Sequence, residues 1–177
     1  DPLSETKKSM DGACRSLFSG RAGQAVKRET GIIGTIQANE VTWSPDNGWH
    51  PHRHVLFVAD HVLTSAELAR FRDHVTGRFR GQVEKHHGYT GENAVHVTMC
   101  KWGVADELLA CQVKGSKKEK HLTPFELADR FGVTGDHRYR LLFREYIGVF
   151  KGSRRASYSR GLKALLGIAE KTDQALL

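Results

Sequence analysis

The chain has 177 residues, 39% of them hydrophobic, which suits one folded domain, or one with a small appendage, and excludes a disordered chain. Its 27 Lys and Arg residues outnumber 20 Asp and Glu residues, and the net charge of +7 favours a polyanionic partner such as nucleic acid over an ordinary basic surface. The three cysteines form no CxxC pair, which argues against a disulfide scaffold and indicates a reducing compartment, expected to be the cytoplasm.

The first 30 residues are polar and Gly-rich, and we expect a helix and a loop in this N-terminal segment, residues 1–30. The chain begins at Asp1 rather than Met, so we expect it to be part of a longer product. No apolar run approaches the roughly 18 residues that cross a bilayer, and no signal peptide is recognisable. A membrane partner is therefore not expected.

Two strands follow, joined by a short turn. GIIGTIQANEVTW is rich in β-branched residues and predicts a strand near residues 31–43. SPDNG is a strong turn signal, and HPHRHVLFVAD predicts a second strand near residues 50–60. The two strands should pair as a hairpin.

A long helix and a third strand come next. Apolar residues recur at helical spacing near residues 64–87, and either Thr64 or Ser65 can cap the start of this helix with Glu67 in its first turn. NAVHVTMCKW predicts a strand near residues 94–101.

The rest of the chain has helical patterns. Helices are predicted in VADELLACQVKGSKKEK as far as Gly115, where the basic tract KKEK ends the helix, and in TPFELADRFGV with Thr123 as the N-cap. Two more are predicted in DHRYRLLFREYIGVFKG and SRRASYSRGLKALLGI. The order of elements predicts an α+β fold with a central antiparallel β-sheet flanked by helices. We place the core at residues 31–121 and a C-terminal helical extension at residues 122–177, packed on the same domain.

The stretch GWHPHRHVLF places His50, His52 and His54 at alternate positions, so the three imidazoles share one face of the strand. Two such imidazoles can bind one divalent ion, and Glu40 on the preceding strand lies opposite them if the turn centres on the Asp-Asn pair of SPDNG. This set suits Mg²⁺ or Mn²⁺ better than Zn²⁺, with His50 as the alternative third ligand. Surface or capping histidines, or a zinc hydrolase, are the alternatives.

A second cluster of polar residues lies in ADELLACQVKGS. Glu107, Cys111 and Lys114 stand at i, i+4 and i+7, so they share one face of the predicted helix. A carboxylate, a thiol and an ammonium group on one face could be catalytic. Helical periodicity alone favours the structural alternative, a solvated Glu–Lys face with a buried Cys.

Together the two stretches resemble the HUH endonuclease superfamily, and more narrowly the replication initiator proteins of rolling-circle plasmids. HPHRH matches the metal motif, and NEVTW, TPFEL and REYIGVFKGSRRASYSRGLK extend the resemblance over roughly residues 31–168. The resemblance implies an RRM-like palm with the histidine pair at the centre of its sheet. It also implies metal-dependent nicking of single-stranded or hairpin origin DNA by a tyrosine, which leaves a 5′-phosphotyrosine and a free 3′-OH. The implied partners are this DNA and a host helicase and polymerase.

The resemblance also implies roles for individual residues. His52 and His54 take the metal-ligand positions, with Glu40 as the third ligand. Glu107 takes the position that activates water for the terminating cleavage, and Lys114 takes the position of the lysine near the phosphate or metal.

The chain departs from the family pattern in two places. Arg53 stands between the two histidines, where an apolar residue is usual, and Cys111 stands where the family has its nucleophilic tyrosine. The favoured interpretation is that Cys111 gives a protein that binds DNA without nicking it. Alternatively Cys111 attacks phosphorus itself, or another tyrosine serves, although no tyrosine of the chain lies in a Y-x-x-K motif. These tyrosines are Tyr89, Tyr139, Tyr146 and Tyr158.

Several basic residues are candidates to hold the DNA backbone, and each could equally be part of a solvated surface. They are Lys117, Lys118, Lys120, Arg154, Arg155 and Arg160.

Two functions other than a nicking endonuclease remain as alternatives. One is a non-catalytic DNA-binding relict or repressor on the same fold, which Cys111 favours. The other is a zinc hydrolase, made less favourable by the absence of an HExxH motif.

Overall fold

A computed structural model describes residues 2–85, 94–100, 121–154 and 156–168. The helices are α1 (Leu3–Ser16), α2 (Gly20–Glu29), α3 (Ser65–Lys85), α4 (Pro124–Thr134), α5 (His137–Phe150) and α6 (Leu162–Leu165). The strands are β1 (Ile32–Ser44), β2 (Gly48–Ala59) and β3 (Ala156–Tyr158). The protein is therefore α+β, with a three-stranded antiparallel sheet of order β2-β1-β3 flanked by helices.

The hairpin of β1 and β2 is the longest paired unit, and it confirms the two strands predicted from the sequence. Its turn is short because Gly48 adopts a φ of 69°, a backbone conformation that favours glycine. The Asn47 backbone N–H donates to Ser44 Oγ at 3.2 Å and so closes the turn. The register then continues without interruption from Ser44 opposite Gly48 to Gly34 opposite Val58.

The third strand is not the one predicted. Residues 94–100 contain no strand, so the prediction of a strand near residues 94–101 is wrong over the described residues. Val95 and Val97 pack against the hydrophobic core instead. The third strand is β3, which pairs with β1 and lies within a stretch predicted to be helical. Gly161, with a φ of 80°, separates β3 from the short helix α6.

The core lies on the face of the hairpin that carries Arg53, Val55 and Phe57, which we call the core face. The Phe57 ring packs edge-on against Phe18 at 5.9 Å and against Phe71 at 4.8 Å between ring centroids. The buried residues of this cluster are Leu17, Ile32, Phe71 and Val75. The helix predicted near residues 64–87 thus forms as α3 and covers one face of the sheet.

Two helices begin with capping boxes. At α4, the Thr123 hydroxyl accepts from the Glu126 backbone N–H at 3.3 Å, and the Glu126 carboxylate accepts from the Thr123 backbone N–H at 2.6 Å. Thr64 and Glu67 make the same reciprocal pair at the start of α3, at 3.3 and 2.8 Å. Thr123 was predicted as a cap, and Thr64 rather than Ser65 caps α3.

The C-terminal segment docks against the first half of β1. The Thr35 backbone N–H donates to Ser159 Oγ at 2.9 Å. Gly34 makes room for this contact, because a Cβ at position 34 would lie 2.7 Å from a Leu162 methyl carbon and 2.8 Å from Ser159 Oγ. Residues 156–165 are thereby held to the sheet, and the predicted helical extension contributes a strand as well as helices.

Candidate functional site

Four side chains on one face of the hairpin form what we call the histidine cluster: Glu40, His50, His52 and His54. The register places Glu40 directly opposite His52, as expected from the position of the turn. His54 Nε2 lies 3.2 Å from Glu40 Oε2, and His50 Nδ1 lies 2.7 Å from His52 Nε2. The cluster therefore consists of two hydrogen-bonded pairs side by side.

The histidine cluster is accessible to solvent. The His54 side chain is 42% exposed and the Glu40 side chain 28% exposed. His50 and His52 are also exposed. Solvent therefore reaches these groups on the face opposite the core face.

The surroundings of His52 favour its neutral form. Loss of water around the ring lowers its pKa, and the charges of nearby histidines, His50 foremost, lower it further. The Glu40 carboxylate raises the pKa, but these causes outweigh it. The hydrogen bond between His50 and His52 also requires one ring nitrogen to act as an acceptor. A neutral imidazole is the form that binds a metal ion.

His121 also lies close enough to His52 to affect its pKa, and the sequence did not reveal this. Trp43 and Leu122 exchange backbone hydrogen bonds of 2.8 and 2.7 Å, which bring His121 to the edge of β1. The charge of His121 contributes to the lowered pKa of His52. No local pattern could have indicated this, because the contact depends on a bridge between residues far apart in the chain.

The donor chemistry of the cluster fits a divalent cation, since imidazole and carboxylate are ligands of Mn²⁺ and Zn²⁺, and carboxylate of Mg²⁺. As the side chains stand, the described residues contain no group of three or more His, Cys, Asp or Glu that could hold a metal ion. The contacts are pairwise. Backbone register already aligns Glu40, His52 and His54, so side-chain rotation would be needed to turn them towards one point.

The position of the cluster in the sheet differs from what the resemblance implies. Strand β1 is the central strand, and the histidine strand β2 lies at one edge of the three-stranded sheet that the described residues form.

The structure gives Arg53, which stands between His52 and His54, a packing role. Its side chain is 10% exposed and lies on the core face, where its guanidinium donates to the Asp11 carboxylate of α1. It also donates to Asn39 Oδ1 at 2.8 Å. Arg53 therefore connects the histidine strand to α1 on the core face, opposite the histidine cluster.

The remaining predicted site residues divide into two groups. Arg154 and Arg160 are exposed and line an open pocket beside β3. The others lie outside the described residues: Glu107, Cys111, Lys114, Lys117, Lys118, Lys120 and Arg155. Among the alternative tyrosines, Tyr146 stacks on Phe150 within α5, with ring centroids 5.1 Å apart, as expected of a packing residue.

The chain matches no protein-family model, no curated protein and no solved structure. Within the described residues, every helix is too short or too polar to span a bilayer.

Proposed function

We propose that this chain is the catalytic domain of a plasmid rolling-circle replication initiator, an HUH-type endonuclease that nicks single-stranded or hairpin origin DNA and transfers the strand. The observation that supports it best is Glu40 standing opposite His52, with His54 on the same accessible strand face. The net charge of +7 and the order of the sequence motifs agree with a DNA substrate.

In this proposal His52, His54 and Glu40 hold Mg²⁺ or Mn²⁺, with His50 as the alternative third ligand. The ion, when bound there, would draw negative charge from the scissile phosphate and make its phosphorus easier to attack. The chain itself supplies the frame. The hairpin fixes the spacing of the ligands, and the contact of Arg53 with Asp11 holds the histidine strand against α1.

We propose that the helix predicted to contain position 111 supplies the nucleophile for a transesterification. In the active form a tyrosine oxygen would bond to phosphorus while the bond to the 3′ oxygen breaks, so the 5′ phosphate stays on the protein and the 3′-OH is released. Lys114 would hold the phosphate, and Glu107 would activate water for the terminating step. Cys111 occupies the tyrosine position, and a thiol is shorter than a phenol. We expect the chain to bind DNA and to nick it weakly or not at all.

A second candidate function is a non-catalytic origin-binding protein or repressor on the same fold. The residue at position 111 favours it, because a thiol is a poor substitute for a phenol in attack on phosphorus.

Covalent capture of DNA tests both candidates. The chain and its variants Cys111→Tyr and Cys111→Phe are incubated with a labelled pool of randomised single-stranded DNA in Mn²⁺ or in EDTA, then separated on a denaturing gel. We expect a shifted, covalent band only for Cys111→Tyr in Mn²⁺, since the phenylalanine variant has the ring without the hydroxyl.

Each result has one interpretation. Binding of the pool without an adduct from Cys111→Tyr would favour the non-catalytic protein. An adduct from the unaltered chain that survives iodoacetamide would identify a tyrosine elsewhere as the nucleophile. Absence of both binding and adducts would contradict the proposed function.

A further inference from the structure

An open pocket of about 650 Å³ lies beside β3, outside the histidine cluster. Its described lining carries three cationic side chains, Arg154, Arg160 and Lys163, and one aromatic ring, Tyr158. The described residues that line it include no Asp or Glu. A concave surface with cations, hydroxyl groups and an aromatic ring favours an anionic ligand that also has a flat face.

Part of the pocket lining, Ala156 and Tyr158, lies on the same face of the sheet as the histidine cluster. In β3, Tyr158 is paired with Ile36 of β1, and Ala156 is paired with Ala38 of β1. Ala38 is in turn paired with His54 of β2. Directly paired residues of an antiparallel sheet point to the same face. Two strand spacings of about 4.8 Å therefore separate His54 from Ala156, or roughly 10 Å.

One residue of β1, Ala38, lies between the two sites on this face of the sheet. Ala38 is 2% exposed, so it is covered by its neighbours and does not itself form the surface there. The Asn39 amide lies 3.5 Å from the Arg154 carbonyl oxygen, which places Arg154 at the end of β3 nearest Glu40. The separation of roughly 10 Å is short enough for one strand of nucleic acid to contact both sites.

The ring of Tyr158 is suited to stacking with a nucleobase. The residue is 39% exposed, and Lys163 Nζ lies 5.4 Å from the ring centroid. Proteins that bind single strands combine such aromatic rings, on which bases stack, with cations that contact the phosphates. In a duplex the base faces are already stacked on each other, so this arrangement favours single-stranded DNA.

We propose that this pocket binds one nucleotide of single-stranded DNA close to the scissile phosphate, with its base stacked on Tyr158 and its phosphates held by Arg160 and Lys163. The choice of DNA as the ligand rests on the proposed function. The prediction that the pocket binds an anionic ligand with a flat face rests on its shape and its charge.

Fluorescence anisotropy with a fluorescein-labelled oligothymidylate tests the pocket in EDTA, so that neither a metal ion nor nicking contributes. We expect Tyr158→Ala to weaken binding by about 5- to 150-fold and Tyr158→Trp to bind at least as well as the unaltered chain. Arg160→Ala should reduce the slope of log K against log salt by about 0.7, the value for one phosphate contact on a single strand. Unlabelled duplex DNA should compete poorly.

The matched control is Arg72→Ala, which removes one exposed charge from α3, on the side of the core face. It should leave both affinity and salt slope near those of the unaltered chain. The proposal would be overturned if Arg160→Ala behaved like Arg72→Ala, or if Tyr158→Ala bound normally. Equal competition by duplex DNA would remove base stacking from the proposal. Melting curves identify any variant that fails to fold, and the Arg160 comparison remains if Tyr158→Ala is such a variant.

The experiments distinguish failure of the pocket proposal from failure of the proposed function. Loss of binding in the pocket variants, together with no covalent adduct from Cys111→Tyr, would overturn the endonuclease and leave the pocket standing. An adduct from Cys111→Tyr, together with pocket variants that bind normally, would overturn the pocket alone.

Discussion

Replacing Asp11 by Ala tests whether the contact between α1 and the histidine strand stabilises the fold. Asp11 accepts hydrogen bonds from Arg53 and, at 2.8 Å, from Lys7. Without Asp11, the guanidinium of Arg53, which is 10% exposed, keeps Asn39 and the Cys14 thiol as described partners. The mutation would therefore leave a cation largely out of water without the carboxylate that pairs with it.

The expected cost is about 2–4 kcal/mol. Breaking a buried ion pair costs about 3–5 kcal/mol, and a hydrogen bond to a charged group contributes about 1.5–3 kcal/mol. Asp11 itself is 19% exposed, so water can replace part of the lost contact, and the cost stays below the upper limit of about 5 kcal/mol. For a chain of this size, the melting temperature should fall by about 4–16 °C.

Urea unfolding followed by circular dichroism measures this cost, with Lys7→Ala as the control. Lys7 contacts the same carboxylate as an i, i+4 pair on one helix, which should contribute about 0.3–0.5 kcal/mol. Its Nζ also lies 5.4 Å from the Phe150 ring centroid, a contact that should add about 0.5–1 kcal/mol. A double-mutant cycle with Arg53→Met should show coupling between positions 11 and 53. A loss under about 0.5 kcal/mol for Asp11→Ala, or strict additivity in the cycle, would refute the reasoning.

Acidification should remove the same stabilisation. Burial raises the pKa of Asp11, but hydrogen bonds from Lys7 and Arg53 outweigh it and lower the pKa below its ordinary value of 3.8. Because the folded state has the lower pKa, the stabilisation is fully present above the unfolded pKa and is lost as the pH falls through the folded pKa. The difference in stability between the unaltered chain and Asp11→Ala should therefore be constant near neutral pH and shrink below about pH 4.

Further predictions concern the core, a helix cap, the metal and salt. Phe71→Ala should cost about 3–5 kcal/mol in urea unfolding, because Phe71 is 3% exposed and packs on two other rings; a cost below 1 kcal/mol would contradict this core. Thr123→Ala should cost about 1 kcal/mol through loss of the capping box, with no change in DNA affinity. Replacing His52 and His54 together by Ala should abolish Mn²⁺ binding in calorimetry while the melting temperature changes little, and unchanged binding would remove the metal from this strand. The affinity of the unaltered chain for single-stranded DNA should fall as salt rises, and each phosphate contact should add about −0.7 to the slope of log K against log salt. A slope near zero would indicate a partner other than nucleic acid.

The sequence predicted those elements whose signals are local. The turn SPDNG and the β-branched run before it were sufficient for the hairpin, and with it the position of Glu40 opposite His52. Thr123, Pro124 and Glu126 marked the start of α4 through the side-chain chemistry of a cap. In each case the deciding interactions join residues only a few positions apart.

Contacts between distant segments were not predictable in this way. The apolar run around Val95 and Val97 has strand propensity, yet it packs against the core without joining the sheet. Conversely, β3 is only three residues long and includes one residue with strand propensity, Tyr158, so its pairing with β1 decided its conformation. His121 and Tyr158 entered the candidate sites through the same kind of long-range pairing. Propensity is a weak prior wherever tertiary contacts compete with it.

The docking of β3 on β1 has a consequence for the order of folding. The hydrogen bond from Thr35 to Ser159 closes a loop of 124 residues, whereas the hairpin closes at a turn of a few residues. Because loop-closure entropy must be overcome before distant contacts stabilise anything, we expect the hairpin to form first and the C-terminal segment to join last. Partial opening of the native protein should reverse this order. Amide hydrogens of Ser157 and Ser159 would then exchange with solvent before those in the middle of β1 and β2, and the pocket beside β3 would be the first part of the nucleic-acid surface to be lost.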